Sequence, residues 1–255
     1  MSGIVKKTAV NAAYILIVIA LVFGIWAVAA AFIHTEFILP DIAVTFSALG
    51  ELLKNMEFWT GLFGTLLRSL VGYAISVALF FVLFYLSTAF GGVKKIVTPL
   101  MSALRTLPTM AVALVISIWA GARLTPVILG VTVLLPQLFS SSVARNATVP
   151  NELIEVCSIC GASRTQKFLS VYLPNAAAGL PESLSSALSF GIKITVAAEI
   201  LMQTSRSLGM LMMLSQMYLM TANLIALTFA AVIVSVILEW TVRLILSFAL
   251  RRFKD

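Results

Sequence analysis

Charged residues are so sparse along this chain that the gaps between them mark out its elements. The first gap runs from Lys7 to His34, with Ala13 to Ile33 its most apolar part. A helix rising 1.5 Å per residue crosses an apolar layer of roughly 30 Å in about 20 residues. Residues 11–33 therefore predict a first membrane span. A secretory signal would be shorter, with small residues at its cleavage site. Phe32-Ile33-His34 is a poor one, so the segment reads as a retained helix.

A polar, mixed-charge stretch follows, His34 to Trp59, carrying Glu36, Asp41, Glu51, Lys54 and Glu57. Within it Ile42, Phe46, Leu49, Leu52 and Leu53 recur at helical spacing after Pro40-Asp41. This predicts an interfacial amphipathic helix over about 40–56. Further apolar runs over about 58–90, 100–120, 124–143, 176–202 and 223–249 predict five more spans. The third and fourth are separated only by Gly121-Ala122-Arg123, and the second contains Arg68. Between the fourth and fifth, residues 145–174 form a hydrophilic loop with Glu152, Glu155, Arg164 and Lys167. The expected architecture is an all-α membrane protein with six transmembrane helices in one domain.

Composition agrees with that reading. The chain has 255 residues, of which 61% are hydrophobic and 11% charged. A soluble domain is nearer 25% charged. A soluble enzyme, a nucleic-acid binder and a disordered scaffold are all disfavoured. The net charge of +7 then reads as a topological bias rather than a nucleic-acid surface. Six spans put Lys6, Lys7, Lys94, Lys95, Arg145, Arg164, Lys167, Arg251, Arg252 and Lys254 on one side. Only Lys54, Arg123 and Arg206 fall on the other. The excess of basic residues on cytoplasmic faces places both termini and the loop 145–174 inside.

That loop reads as a helix, a glycine stop and a second helical piece. Pro150 suits the first turn of a helix over Asn151 to Cys160, and Gly161 supplies a flexible stop. Residues 164–169 read as the second piece, before Leu173-Pro174 turns the chain back toward the membrane. Such a knob fits a partner's groove, although an ordinary solvated loop has the same outline.

The residues favour the knob. Glu155-Val156-Cys157, three residues, Gly161, nine residues, then Val171-Tyr172-Leu173-Pro174 resembles the signature loop of binding-protein-dependent ABC importer permeases. In that family the pattern runs Glu-Ala-Ala, three residues, Gly, nine residues, Ile-x-Leu-Pro. Glu155, Gly161, Leu173 and Pro174 are identical to it, and Val171 replaces Ile. Val156 and Cys157 depart from the usual alanines. Leu104-Arg105-Thr106-Leu107-Pro108 through Trp119-Ala120-Gly121 is similar to the nitrate, sulfonate and taurine branch. So are Ala197-Ala198-Glu199 and Ser207-Leu208-Gly209, with Ser207 in place of a glycine.

The resemblance runs from about Leu39 to the C-terminus. It implies a type I importer fold and a permease homodimer in the bacterial cytoplasmic membrane. It also implies an extracytoplasmic binding protein and separate ATPase subunits that hold ATP and Mg. Glu155, Val156, Cys157, Ser158, Gly161, Ala162 and Pro174 are then the candidate coupling residues. The branch also contains importers of vitamin precursors such as a thiamine pyrimidine, so a small anion and a vitamin precursor both remain open. No Gly-x-x-x-x-Gly-Lys-Ser/Thr phosphate loop occurs, so the chain is not expected to be an ATPase itself.

Ionisable residues inside spans are costly and invite functional readings. Arg68, Lys193, Glu199, Glu239 and Arg243 stand out here. Glu239 and Arg243 can pair at i, i+4, and Arg68 is expected to snorkel to the outer interface. Glu182, Ser186, Ser189 and Lys193 step along one helical face, either packing between helices or lining a path. Lys193 can favour an anion or pair with Glu199. Arg105 and Pro108 join Ser186, Ser189 and Lys193 as candidate path residues, since broken helices line substrate paths.

The clustered Met210, Met212, Met213, Met217 and Met220 and the lone His34 read as interfacial packing. Cys157 and Cys160 lack further ligands for a metal site and read as small apolar residues. A secondary transporter driven by an ion gradient through Glu199, Lys193 or Glu239 is the alternative, though no internal repeat supports it.

Overall fold

The computed structural model of the chain describes residues 2–33 and 35–251. His34, Arg252 and Lys254 lie outside the described residues, as do the side chains of Lys6, Lys7 and Arg251. Every regular element among the described residues is helical. In order they are α1 (Ser2–Ile33), α2 (Ile42–Lys54), α3 (Met56–Ala89), α4 (Gly91–Thr106), α5 (Thr109–Asn146) and α6 (Asn151–Ile159). Then come α7 (Arg164–Lys167), a π-helical turn (Phe168–Tyr172), α8 (Leu173–Ala177), α9 (Leu180–Met202), α10 (Leu208–Met217) and α11 (Thr221–Arg251).

Five of these helices, α1, α3, α5, α9 and α11, are long and apolar enough to cross a membrane, where six spans were expected. The difference lies in α5. Gly121 breaks it with φ 64° and ψ 174°, a conformation open to glycine but costly for a residue with a Cβ. Ala113 and Leu129 nevertheless pack in one buried cluster, and Arg105 and Gln137 line one cavity. On an unbroken helix Ala113 and Leu129 would stand about 24 Å apart. The chain therefore folds back at Gly121, and residues 109–120 lie antiparallel to 122–146. These two arms occupy the places of the expected third and fourth spans. The third is discontinuous: α4 begins at Gly91, earlier than expected, and stops at the exposed Leu107-Pro108 break. The residue before a proline is pushed out of the helical region, and Leu107 is extended here.

By its internal contacts the chain groups into two compact units, residues 1–56 with 211–230, and residues 57–210 with 231–255. In the first, Phe23, Trp26, Phe46 and Phe229 stack at centroid distances of 5.8 to 6.4 Å. The Trp26 indole N–H donates to the Pro40 carbonyl at 3.1 Å. Together these hold the amphipathic α2, which starts one residue after Asp41.

The second unit contains the main core. Phe80, Phe84, Leu134, Leu138, Phe139, Phe168, Leu180 and Leu184 are buried in one cluster drawn from α3, α5, the π turn and α9. Helix α9 packs most extensively on α5. The approach is close because Gly191 has no side chain, leaving the Leu134 methyl 3.0 Å from where a Cβ would stand.

Two boundaries differ from expectation. The piece after Gly161 does not end near residue 169 but continues helically through the π turn to Ala177, so Leu173-Pro174 lies inside a helix. The break falls at Ala178-Gly179, and the fifth span starts at Leu180 rather than near residue 176. Pro174 directly follows the π turn, in which the Leu173 N–H reaches back five residues to the Phe168 carbonyl, so the regular i to i−4 ladder is already interrupted where the proline lacks its donor.

Candidate functional site

Three places in the second unit draw on the residues that the sequence singles out. The first is a buried ion pair. Glu199 on α9 is completely buried. Its Oε1 accepts from Arg68 Nη1 at 2.8 Å, and its Oε2 accepts from the Thr65 hydroxyl at 2.7 Å. Arg68 does not snorkel. Its other guanidinium nitrogen donates to the Ser205 carbonyl at 3.0 Å. Thr65 and Arg68 share a face of α3 because they are three residues apart.

The segment after α9 closes over the pair. Leu208 N–H donates to Thr65 Oγ1 at 2.9 Å, and Gly209 N–H lies 3.4 Å from Glu199 Oε2. A Cβ at position 209 would sit 2.7 Å from the Ile200 amide nitrogen. Only glycine allows that approach. Ser207, the departure from the family's glycine, caps α10: its hydroxyl accepts from Met210 N–H at 2.9 Å. Thr204 donates to the Ala122 carbonyl at 2.8 Å, bracing the Gly121 turn. One carboxylate thus ties α3, α9 and the 204–210 segment together. Lys193 is not its partner; it is exposed, with no ion pair among the described residues.

The second place is a cavity of about 560 Å³ lined by Arg105, Thr132, Gln137, Ser186 and Phe190, with apolar residues between them. It lies beside the Leu107-Pro108 break. Of the expected path residues, Arg105 and Ser186 line it together. Ser189 does not: it is buried and packs inside the bundle. Lys193 shares the helical face of Ser186 and Phe190 but is not among the lining residues. The stripe therefore divides between packing and lining, and Glu182 at its far end is exposed. Glu239 and Arg243 pair with each other at 3.3 Å, and Arg243 also reaches the Ser185 hydroxyl at 3.4 Å.

The third place is the loop 145–174. Pro150 occupies the cap position of α6, and Gly161 ends the stop with φ 71°. Ser163 and Gln166 then form a reciprocal capping box that starts α7. Lys167 donates to the Ser158 hydroxyl at 2.7 Å, holding α6 against α7. Leu153, Val156 and Ile159 are all exposed on α6, Ile159 at 85%. The Glu155 side chain makes no ion pair among the described residues. The root of the loop is fixed. Phe168 is buried edge-on against Phe84 at 5.7 Å and Tyr85 at 5.1 Å, and the Tyr85 hydroxyl is 3.0 Å from that of Thr165.

A short helix with an uncovered apolar face, set on a buried root among helices long and apolar enough to cross a membrane, is the setting for the comparisons with known proteins. Residues 89–254 match the family described as binding-protein-dependent transport system inner membrane component. The chain belongs to that family. The riboflavin transport system permease protein RibX of Chloroflexus aurantiacus is similar, 29% identical over 143 residues. That match covers 55% of this chain and 53% of the relative, about half the length of each. A crystal structure of a bacterial ABC transporter involved in the import of the acidic polysaccharide alginate is similar in fold. Its TM-score is 0.59 and its identity 15%, with 98% of this chain and 99% of that one covered.

Within this inner membrane component, the family match includes α4 and the whole loop 145–174, and stops short of Arg68 and Thr65. Sequence reasoning missed Thr65 altogether. The available signal was a threonine one turn before an intramembrane arginine, on the same face. Cys157 and Cys160 are free thiols, and the described residues hold no metal-ligating cluster.

Proposed function

We propose that this chain is the permease subunit of an ATP-driven importer and works as a homodimer in the cytoplasmic membrane. Two ATPase subunits carrying ATP and Mg dock on the two copies of α6, and a binding protein delivers substrate on the opposite side. The observation that carries this reading is the loop itself. Leu153, Val156 and Ile159 are uncovered on a helix whose root, Phe168, is buried in the bundle core. Motion imposed on α6 therefore reaches α3 through Phe84 and Tyr85 by direct packing. Glu155, Val156, Cys157, Ser158, Gly161 and Ala162 form the docked surface. Pro174 contributes through the helical continuation behind it.

The cavity beside the Leu107-Pro108 break belongs to the substrate path. Arg105 and Ser186 offer donors there, Phe190 offers an apolar face, and Lys193 continues the same face of α9 beyond it. The guanidinium favours a small anion of nitrate, sulfonate or taurine type, and the ring leaves room for a vitamin-like substrate. The carboxylates that an ion-gradient carrier would need are already engaged, Glu199 by Arg68 and Glu239 by Arg243.

Affinity purification from native membranes in mild detergent tests the assembly. A P-loop ATPase co-purifies with the unaltered chain and is lost when Glu155→Ala and Gly161→Val are combined. A chain that purifies alone, and takes up solute on an ion gradient without ATP, would sink the proposal. For the path, Arg105→Gln raises the KM for an anionic substrate by about tenfold, the weight of one charged hydrogen bond. Unchanged KM would remove Arg105 from it.

A further inference from the structure

A second, smaller cavity of about 240 Å³ lies where the inner ends of α3, α4 and α5 meet the π turn. Ser87, Gly91, Lys94, Asn146 and Tyr172 are among its lining residues. Nothing in the transport reading uses it, yet its polar groups are unusually arranged. Ser87 is buried at 3% exposure, and its hydroxyl has no hydrogen-bond partner. The Asn146 side-chain nitrogen is also buried without a partner, while its oxygen accepts from Asn175 at 3.3 Å. That bond orients the amide and leaves its donor end unused. Buried polar groups are nearly always paired, so two orphans on residues that line one cavity call for an explanation.

The head of α4 opens on the same place. Phe90 at its cap position offers no side-chain acceptor, and the first turn has no acidic residue. The Val93 and Lys94 amides turn back to the Phe90 carbonyl at 3.0 and 3.2 Å. The Gly91 and Gly92 amides stand ahead of them at the positive end of the helix dipole. Lys94 adds a full positive charge, and no carboxylate lines the cavity. A hydroxyl, a side-chain amide, first-turn N–H groups and an ammonium converge with no acid among them. Such a donor set matches an oxyanion with several acceptor oxygens.

We propose that this cavity binds a phosphate-bearing anion, held by Ser87, Lys94, Asn146 and the head of α4. Two sources share that chemistry, free orthophosphate and the headgroup of an acidic phospholipid. Because Tyr172 belongs to the π turn and the neighbouring Phe84 packs on Phe168, the bound anion braces the loop root against three helices.

The full chain, reconstituted in phosphatidylcholine nanodiscs, separates the sources. Radiolabelled orthophosphate is titrated onto it in one arm. In the other, native mass spectrometry counts phosphatidylglycerol retained from a mixed-lipid preparation. Saturable binding of one phosphate per chain identifies the free anion; one retained phosphatidylglycerol without phosphate binding identifies the headgroup. Either is weakened about tenfold by Lys94→Ala and several-fold by Ser87→Ala, and is unaffected by Lys95→Ala. In phosphatidylcholine alone, Ser87→Ala leaves the unfolding temperature unchanged or higher, because it removes an unpaired hydroxyl. Lys94→Gln replaces Lys94→Ala if the shorter side chain prevents folding. Absence of both ligands, or binding that neither the Lys94 nor the Ser87 variant weakens, overturns the proposal.

Discussion

Replacing Arg68 by Leu destabilises the purified chain by about 3–5 kcal/mol, because the fully buried Glu199 is then left as an uncompensated charge. Thr65 and Gly209 still donate to the carboxylate, but two neutral donors do not replace a guanidinium. Arg68→Lys recovers only part of the loss, since an ammonium cannot reach Glu199 and the Ser205 carbonyl together as the fork of Arg68 does. The double variant Arg68→Leu, Glu199→Leu regains most of the stability, because the desolvation cost leaves with both charges. Denaturant unfolding of all three variants in one detergent measures this. If the single Leu variant costs less than about 1 kcal/mol, the pair is not a structural tie.

Truncating Phe168 to Ala comes next in size. Its ring is buried against Phe84 and Tyr85, and removal of a buried aromatic costs about 3–5 kcal/mol. The position of the loss makes it diagnostic. The exposed surface of α6 is untouched, so in the proposed assembly the ATPase subunits still co-purify, while the packing from α6 into α3 is lost. The expected signature is ATP hydrolysis that continues while substrate uptake falls at least tenfold. Phe168→Leu, which retains much of the apolar volume, restores part of the uptake. If uptake and hydrolysis fall together, Phe168 serves only the fold.

The helices were legible because lipid leaves few choices: long uncharged runs can only be spans or core, and both are helical. The loop from Glu155 to Pro174 was legible through its resemblance to the importer-permease signature, and the family match includes it. Of the intramembrane charges, the local pair Glu239 and Arg243 was legible from its i, i+4 spacing and is formed; the partner of Arg68 was not. Arg68 and Glu199 lie 131 residues apart, and nothing local distinguishes an arginine that snorkels from one that turns inward. Which members of the Glu182 to Lys193 stripe pack and which line a cavity was left open for a related reason. A 3.6-residue period places residues on one face but does not say where a neighbouring helix ends, so Ser189 is packed while Ser186 lines a cavity. The π turn also escaped notice, since its extra residue leaves no mark in composition.

The turn at Gly121 bears on how the chain enters a membrane during synthesis. Residues 109–120 are too few to cross a bilayer unaided, and α4 before them carries Lys94 and Lys95 and is broken off at Pro108. A ribosome extruding the chain thus delivers a third segment that cannot be held in lipid until the arm 122–146 has emerged behind it. Insertion of the two arms together, as a hairpin with Gly121 at its tip, is the route this geometry leads one to expect. A lesion at Gly121 is consequently felt first by the insertion machinery, as a nascent chain with one crossing missing and every later loop on the wrong side.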